Sequence, residues 1–192
     1  MTPRLILRHW ELNDAGVTDH IYGDAITMRY FGDGSTFSPA ELAASFSPLI
    51  HDYTTFGYGN YAVVERATNT ILGHCGARYI RETRRVEADW AIDRQFWRRG
   101  YAIEAARAVF ARSFSVDGVT RIVGIAHRDN SASIAVMRRL GMHFSGEVTA
   151  HGVPSVLYAI DREAFRLPPE ILEAINFPTH DLKDPFGTVE LR

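Results

Sequence analysis

Three short stretches carry side chains whose types and spacing can do chemistry. In residues 86–93, Val-Glu-Ala-Asp-Trp-Ala-Ile-Asp, the carboxylates of Glu87 and Asp89 lie two apart in an alternating pattern, so both project from one face of a strand. Held together, two carboxylates raise each other's pKa, which suits a general base, or attract a cationic group; the plain alternative is a pair of solvent-facing strand carboxylates. Next comes Trp97-Arg98-Arg99-Gly100-Tyr101-Ala102, after which Ala102, Ala105, Ala106, Val109, Phe110 and Phe114 recur at helical spacing. Gly100 lets the backbone approach a ligand closely, the first helical turn offers unpaired N–H groups, and the macrodipole favours negative charge there. With Arg98 and Arg99 beside it, this turn suits an anion such as a diphosphate; the plain alternative is a capped helix after a strand. The third stretch is Asn130 with Ser133, which on their own are ordinary helix-start chemistry: an N-cap and a first-turn residue.

These residues need a sheet and helices to hold them. Residues 4–9 read as a first strand, and Asn13-Asp14 as the cap of a helix running to about Ile21. A second short helix starts near Asp24 and is broken by Gly32-Asp33-Gly34-Ser35. Ser38-Pro39-Ala40-Glu41 is a capping box with Pro at the first helical position, opening a helix over 39–52. Strands over 60–66, 71–80 and 86–92 then form an antiparallel meander. After a helix over 101–115, residues 120–127 make a strand that follows a strand–helix crossover, so it is expected to lie parallel to 86–92. A helix from Asp129-Asn130-Ser131 stops at Gly141, and strands over 144–150 and 156–161 close the sheet as a hairpin. The expected class is α+β: a mixed, mostly antiparallel sheet of six to seven strands with one parallel pair, flanked by about four helices.

The stretch Trp-Arg-Arg-Gly-Tyr-Ala-Ile-Glu-Ala-Ala from Trp97 resembles the acyl-CoA-binding loop of the GNAT superfamily of N-acetyltransferases, in particular the branch that acetylates ribosomal-protein N-termini. The family's loop is written [Gln/Arg]-x-x-Gly-x-[Gly/Ala]. Gly100 and Ala102 match, while Trp97 stands at the first position and leaves no side-chain amide or guanidinium there. Three more patches fall in order: Arg-Leu-x-Leu-Arg at 4–8, Asn130-x-x-Ser133, and Arg139-Leu140-Gly141-Met142 against the branch's Lys-x-Gly-Phe. The resemblance covers residues 4–165 and implies the GNAT fold, in which the parallel pair splays to admit the pantetheine arm. It also implies that Arg98, Arg99, Gly100, Tyr101 and Ala102 hold the diphosphate of acetyl-CoA. The backbone of Ala91 and Ile92 would then pair with pantetheine and supply an oxyanion donor, with Asn130 on a pantetheine amide. Glu87 aligns with the acid that relatives use as a base, often through water, and Asp89 shares its face to receive the acceptor. Ser133 is the candidate to protonate or hydrogen-bond the CoA thiolate. Tyr30 and Phe31 lie over the acceptor channel, or else pack as core aromatics. His127 is a further base candidate, ranked behind Glu87.

An amine acceptor must lose a proton before or during attack, because lysine and N-terminal amines titrate near about 10.4 and about 8. The single cysteine, Cys75, excludes an internal disulfide; within a strand it reads as an inert buried thiol, so direct attack in a ternary complex is expected, with no metal. A formal net charge of −2 and short basic runs argue against nucleic acid as a partner. No signal-peptide core and no stretch of transmembrane length is present, so a cytoplasmic location without a membrane partner is expected. The 192 residues read as an acyltransferase domain over 1–166 and a proline-containing extension over 167–192 without an assigned role, as a monomer or homodimer. Two rival functions stand beside the enzyme. One is an acyl-CoA-binding sensor or assembly subunit without catalysis. The other, a nucleotide-phosphate enzyme built on Arg-Arg-Gly, lacks the Lys-Ser/Thr pair of a true phosphate loop.

Overall fold

Short runs rich in β-branched, aromatic and other apolar residues, bounded by turns, build the strands β1 (Leu5–Arg8), β2 (Asn60–Glu65), β3 (Ile71–Ile80), β4 (Arg85–Ile92), β5 (Arg121–His127), β6 (His143–Ala150) and β7 (Val153–Asp161). The computed structural model describes residues 1–175, apart from the side chains of residues 47, 48, 50–52 and 54. Within it the strands form one seven-stranded sheet in the order β1-β2-β3-β4-β5-β7-β6. Every neighbouring pair is antiparallel except β4–β5, which are joined by a helical crossover and run parallel. The helices are α1 (Ala15–Tyr22), α2 (Ala25–Met28), α3 (Pro39–Phe56), α4 (Tyr101–Phe114), α5 (Ser131–Arg139) and α6 (Pro169–Ala174). This is the mixed α+β architecture expected above.

Several boundaries moved for physical reasons. The helix opening at Pro39 runs to Phe56 because its left-handed stop is Gly57, whose N–H bonds the Tyr53 carbonyl at 3.0 Å. β7 begins at Val153 because His151 and Gly152, at φ 50° and 78°, make the whole turn. Asp14, expected to cap α1, instead accepts from Arg8 Nη1 and Nη2, both at 2.7 Å. The last helix spans Pro169–Ala174, lies against α4 and buries Ile171. The extension thus begins as part of the folded body; residues 176–192, with Pro178 and Pro185, lie outside the described residues.

Register decides which residues share a face. Asn60, Gly76 and Asp89 stand abreast on β2, β3 and β4, and Arg78, Glu87 and Val123 stand abreast on β3, β4 and β5. The segment from Trp10 through Phe31 covers this face: Trp10 bonds Asn60, and Tyr22 and Phe31 both meet His74. On the other face Val86, Ala88 and Ile122 are buried under α4 and α5, whose Val109, Phe110 and Met137 are fully or nearly fully enclosed. Burying each such side chain stabilises the fold by about 1.5–3 kcal/mol. Cys75 lies in this interior at 0% exposure, where burial, and then the Asp89 charge, push its thiol up and leave it inert.

Glu104 ties the first turn of α4 to the start of the chain. Its carboxylate, in a residue 8% exposed, accepts from Thr2 Oγ1 at 2.6 Å, the Arg4 amide at 2.9 Å and Arg4 Nε at 2.7 Å. Removing it leaves the Arg4 amide without its acceptor, and the Thr2 hydroxyl with only the Leu5 carbonyl, 3.3 Å away, to donate to. Glu104→Ala is therefore expected to cost about 2–3 kcal/mol, seen as a lower urea midpoint at unchanged m-value.

Candidate active site

β4 and β5 pair only from Val86/Ile122 to Ala88/Gly124 and then part. Asp93 N–H donates to the Leu72 carbonyl at 2.7 Å, which sets the phase of the β3–β4 ladder. Backbone groups alternate sides along a strand, so Ala91 turns its N–H and C=O to β3, opposite His74, while Trp90 and Ile92 turn theirs to the opening. The expectation that Ala91 offers its backbone to a ligand is thereby corrected, because β3 already takes those groups. The Ile92 carbonyl accepts the indole N–H of Trp97. Trp97, at the position where the loop motif has Gln or Arg, thus fastens the loop to the end of β4. What faces the opening is the backbone of Trp90 and the amide of Ile92. Trp90 was not singled out from sequence, since ladder phase depends on which strands pair.

Beyond Ile92 the chain turns through Arg98 and Gly100, both left-handed at φ 63° and 80°, into α4. No side chain caps α4, whereas Asp24, Ser38 and Asn130 cap α2, α3 and α5. The first-turn amides of this 14-residue helix remain directed at the loop, with the positive end of its dipole. Arg98 and Arg99 are exposed, and the Arg99 guanidinium lies 5.3 Å from the centre of the Phe96 ring. Tyr101 buries its ring under the Arg4 guanidinium and donates its hydroxyl to Glu65, so only its backbone is presented to the loop. Because β4 and β5 are parallel, the Gly100 loop and the Asn130–Ser133 turn follow the same ends of the two strands. Asn130 Oδ1 accepts the Ser133 N–H at 3.1 Å, as an N-cap should, which leaves its amide nitrogen and the half-buried Ser133 hydroxyl for other work.

On the open face of β4, Glu87 is half-buried, and its carboxyl is pushed up by burial first and then by the Asp89 charge, against His151, Arg85 and Arg78. Asp89 Oδ1 and Oδ2 accept from Asn60 Nδ2 at 3.0 and 3.1 Å, and Asn60 Oδ1 accepts the Trp10 indole N–H at 3.1 Å. The Tyr30 and His127 rings stack at 5.3 Å, and Phe31 meets His74 edge-on at 5.3 Å. Tyr30 and Phe31 therefore wall the same basin. His127 Nδ1 accepts the Asp129 backbone N–H at 3.1 Å, so in the neutral ring the proton sits on Nε2 and the lone pair is occupied. That tautomer makes His127 Nε2 a hydrogen-bond donor.

Glu87, Asp89, Tyr30, Phe31 and His127 thus converge on one face of a split sheet, and Arg98–Ala102 with Asn130 and Ser133 stand at its mouth. Comparison with known proteins bears on the family and the fold. Residues 4–143 match the acetyltransferase (GNAT) domain family. The uncharacterized N-acetyltransferase p20 of Bacillus licheniformis is 27% identical over 147 residues, covering 76% of this chain and 82% of that protein. An acetyltransferase of the GNAT family from Bacillus anthracis superposes with a TM-score of 0.74 at 23% identity, over 85% of this chain and 98% of that one. Spermidine N-acetyltransferase from Vibrio cholerae, solved with CoA and spermine, gives 0.70 at 16% identity, over 84% and 97%. At these identities the two structures speak for the fold, whereas the domain match spans well over half of the sequence: the chain belongs to the GNAT acetyltransferase family.

Proposed function

We propose that this protein moves an acetyl group from acetyl-CoA to a primary amine by direct attack, with Glu87 as the base. The observation that carries this reading is a half-buried carboxylate with a raised pKa, on the open face of β4 one residue before the sheet parts. Acetyl-CoA supplies the acyl group already activated as a thioester. The chain does the rest. Uncapped amides of α4 and the Arg98 and Arg99 guanidiniums hold the diphosphate through Gly100, Tyr101 and Ala102. The backbone of Trp90 and the Ile92 amide order the pantetheine arm and offer an N–H to the carbonyl oxygen. The Asn130 amide nitrogen orients the arm, and the Ser133 hydroxyl donates to the departing sulfur. Glu87 takes the proton of the acceptor amine, Asp89 holds the amine by charge, and Tyr30 and Phe31 enclose it.

The two carboxylates fit any cationic acceptor, whether a protein N-terminus as in the ribosomal branch that the loop resembles, or a small amine such as the spermidine of the Vibrio cholerae relative. The experiment is thiol release from acetyl-CoA against short peptides, amino acids, polyamines and aminoglycosides. Release with one class is the expected result and names the acceptor. Silence across the panel, with acetyl-CoA still raising the melting temperature, would favour the non-catalytic binding module instead.

Gly100 gives a separate handle on the donor side. A side chain there enters the left-handed region at a cost of about 1–2 kcal/mol, in the turn that aims the α4 amides. Gly100→Ala is expected to weaken acetyl-CoA binding by about tenfold in calorimetric titration while leaving acceptor KM unchanged.

A further inference from the structure

A buried polar chain stands behind Asp89, and nothing in the transfer reading uses it. His74, 4% exposed, has Nδ1 2.9 Å from the hydroxyl of buried Tyr22. Its Nε2 is buried without a hydrogen-bond partner and points to Asp89 Oδ2, 3.6 Å away. The surroundings choose the tautomer. A lone pair on Nε2 would face a carboxylate, whereas a proton there is attracted to it, and the Tyr22 hydroxyl is able to donate to the lone pair left on Nδ1. Asp89 is gripped from its other side by the Asn60 amide, itself fixed by the Trp10 indole. Between them Gly76 contributes only empty space: a Cβ there would lie 2.9 Å from Asp89 Oδ1 and 2.6 Å from Asn60 Cα. Phe31 closes the ring of His74 from the basin side. The Asp89 side chain nonetheless stays 31% exposed, so it is oriented from within while presenting oxygen to the basin.

We propose that His74 is a positioning residue for acceptor binding: with Tyr22 set behind it, its Nε2–H orients the Asp89 carboxylate toward the amine. The 3.6 Å separation is just beyond a hydrogen bond, so a shift of a few tenths of an ångström closes it when an ammonium group settles on the carboxylate. Asp89 acts on substrate and His74 acts through Asp89. The proposal rests on the acyl-transfer reading for the identity of that substrate, and on the geometry alone for the His74–Asp89 contact.

Two measurements on the full chain test it. In long-range proton–nitrogen spectra of 15N-histidine-labelled protein, with the signal assigned by its loss in His74→Gln, His74 is expected as the Nε2–H tautomer. An Nδ1–H tautomer overturns the proposal. In kinetics with the acceptor found by the thiol-release panel, His74→Gln keeps an amide donor at the Nε2 position, while His74→Asn keeps a polar group only at the Nδ1 position. His74→Asn is expected to raise acceptor KM about tenfold, with His74→Gln restoring most of that loss and the acetyl-CoA KM unmoved in both. Equal damage in the two variants, or a rise in acetyl-CoA KM alongside acceptor KM, would mean a purely structural histidine and overturn the proposal. A wild-type protein that acetylates nothing in the panel would count against the transfer reading, and the tautomer would still decide the contact.

Discussion

Glu87→Gln is expected to lower kcat/KM for the amine by about 10²–10⁴-fold at neutral pH, with acetyl-CoA binding unchanged. Gln keeps the size and polarity of the side chain and removes only its capacity to take a proton. The pH profile carries the second half of this prediction. Glu87 is active as the carboxylate, so activity rises as pH climbs through its pKa. Burial, followed by the Asp89 charge, raises that pKa, so the acidic limb is expected above the ordinary glutamate value of about 4.3. Asp89→Asn removes the second cause and leaves the first, so the limb should move to lower pH without returning to the ordinary value. For an N-terminal acceptor the amine's own titration near about 8 produces a separate, more alkaline rise. A Glu87→Gln variant with full activity and an unmoved acidic limb would remove Glu87 from the mechanism and reopen the question of the base.

Gly73→Ala is expected to be the most damaging single methyl group in the sheet. Gly73 sits at φ +141°, outside the region that L side chains favour, and the pairing of β2 with β3 slips beside it between Val63 and Val64. An added Cβ would lie 2.0 Å from the Ala91 carbonyl oxygen and 3.0 Å from Ile92 Cα. Both are backbone atoms of β4, so no side-chain rotation relieves the clash and β4 itself must move toward the opening. A loss of about 3 kcal/mol or more follows, equivalent to a fall of about 10 °C in Tm for a chain of this size. Because the displaced atoms adjoin the Ile92 amide, the folded fraction should also gain less thermal stability from acetyl-CoA than wild type does. Scanning calorimetry with and without acetyl-CoA reads both effects; an unchanged Tm would refute the close approach of β3 to β4.

What local chemistry can specify was legible in the residues. The period-2 pattern of β4, the capping box in which Ser38 and Glu41 bond reciprocally and the Asn130 cap are each decided within about one turn of chain. The same locality let Glu87 and Asp89 be placed on one face, because alternation along a strand needs no partner. Asp14 marks the limit even there: its carboxylate takes the Arg8 guanidinium in a bidentate pair and the Glu11 N–H, closing the short turn over residues 12–14, and leaves the first turn of α1 without a side-chain cap.

The rest depends on register, which is set by packing between segments far apart in sequence. Only the β3–β4 ladder turns Ala91 away from the opening and Trp90 toward it. Only the stacking of β2, β3 and β4 brings Asn60, Gly76 and Asp89 abreast, and only the docking of α1 on that row puts Tyr22 against His74. Residue types and short-range spacing were enough to read the fold class, the strand–turn–helix around Gly100 and the carboxylate pair. Which backbone groups face the opening and which histidine stands beside Asp89 were decided in the folded sheet, because a one-residue slip in register would turn those groups to the other side.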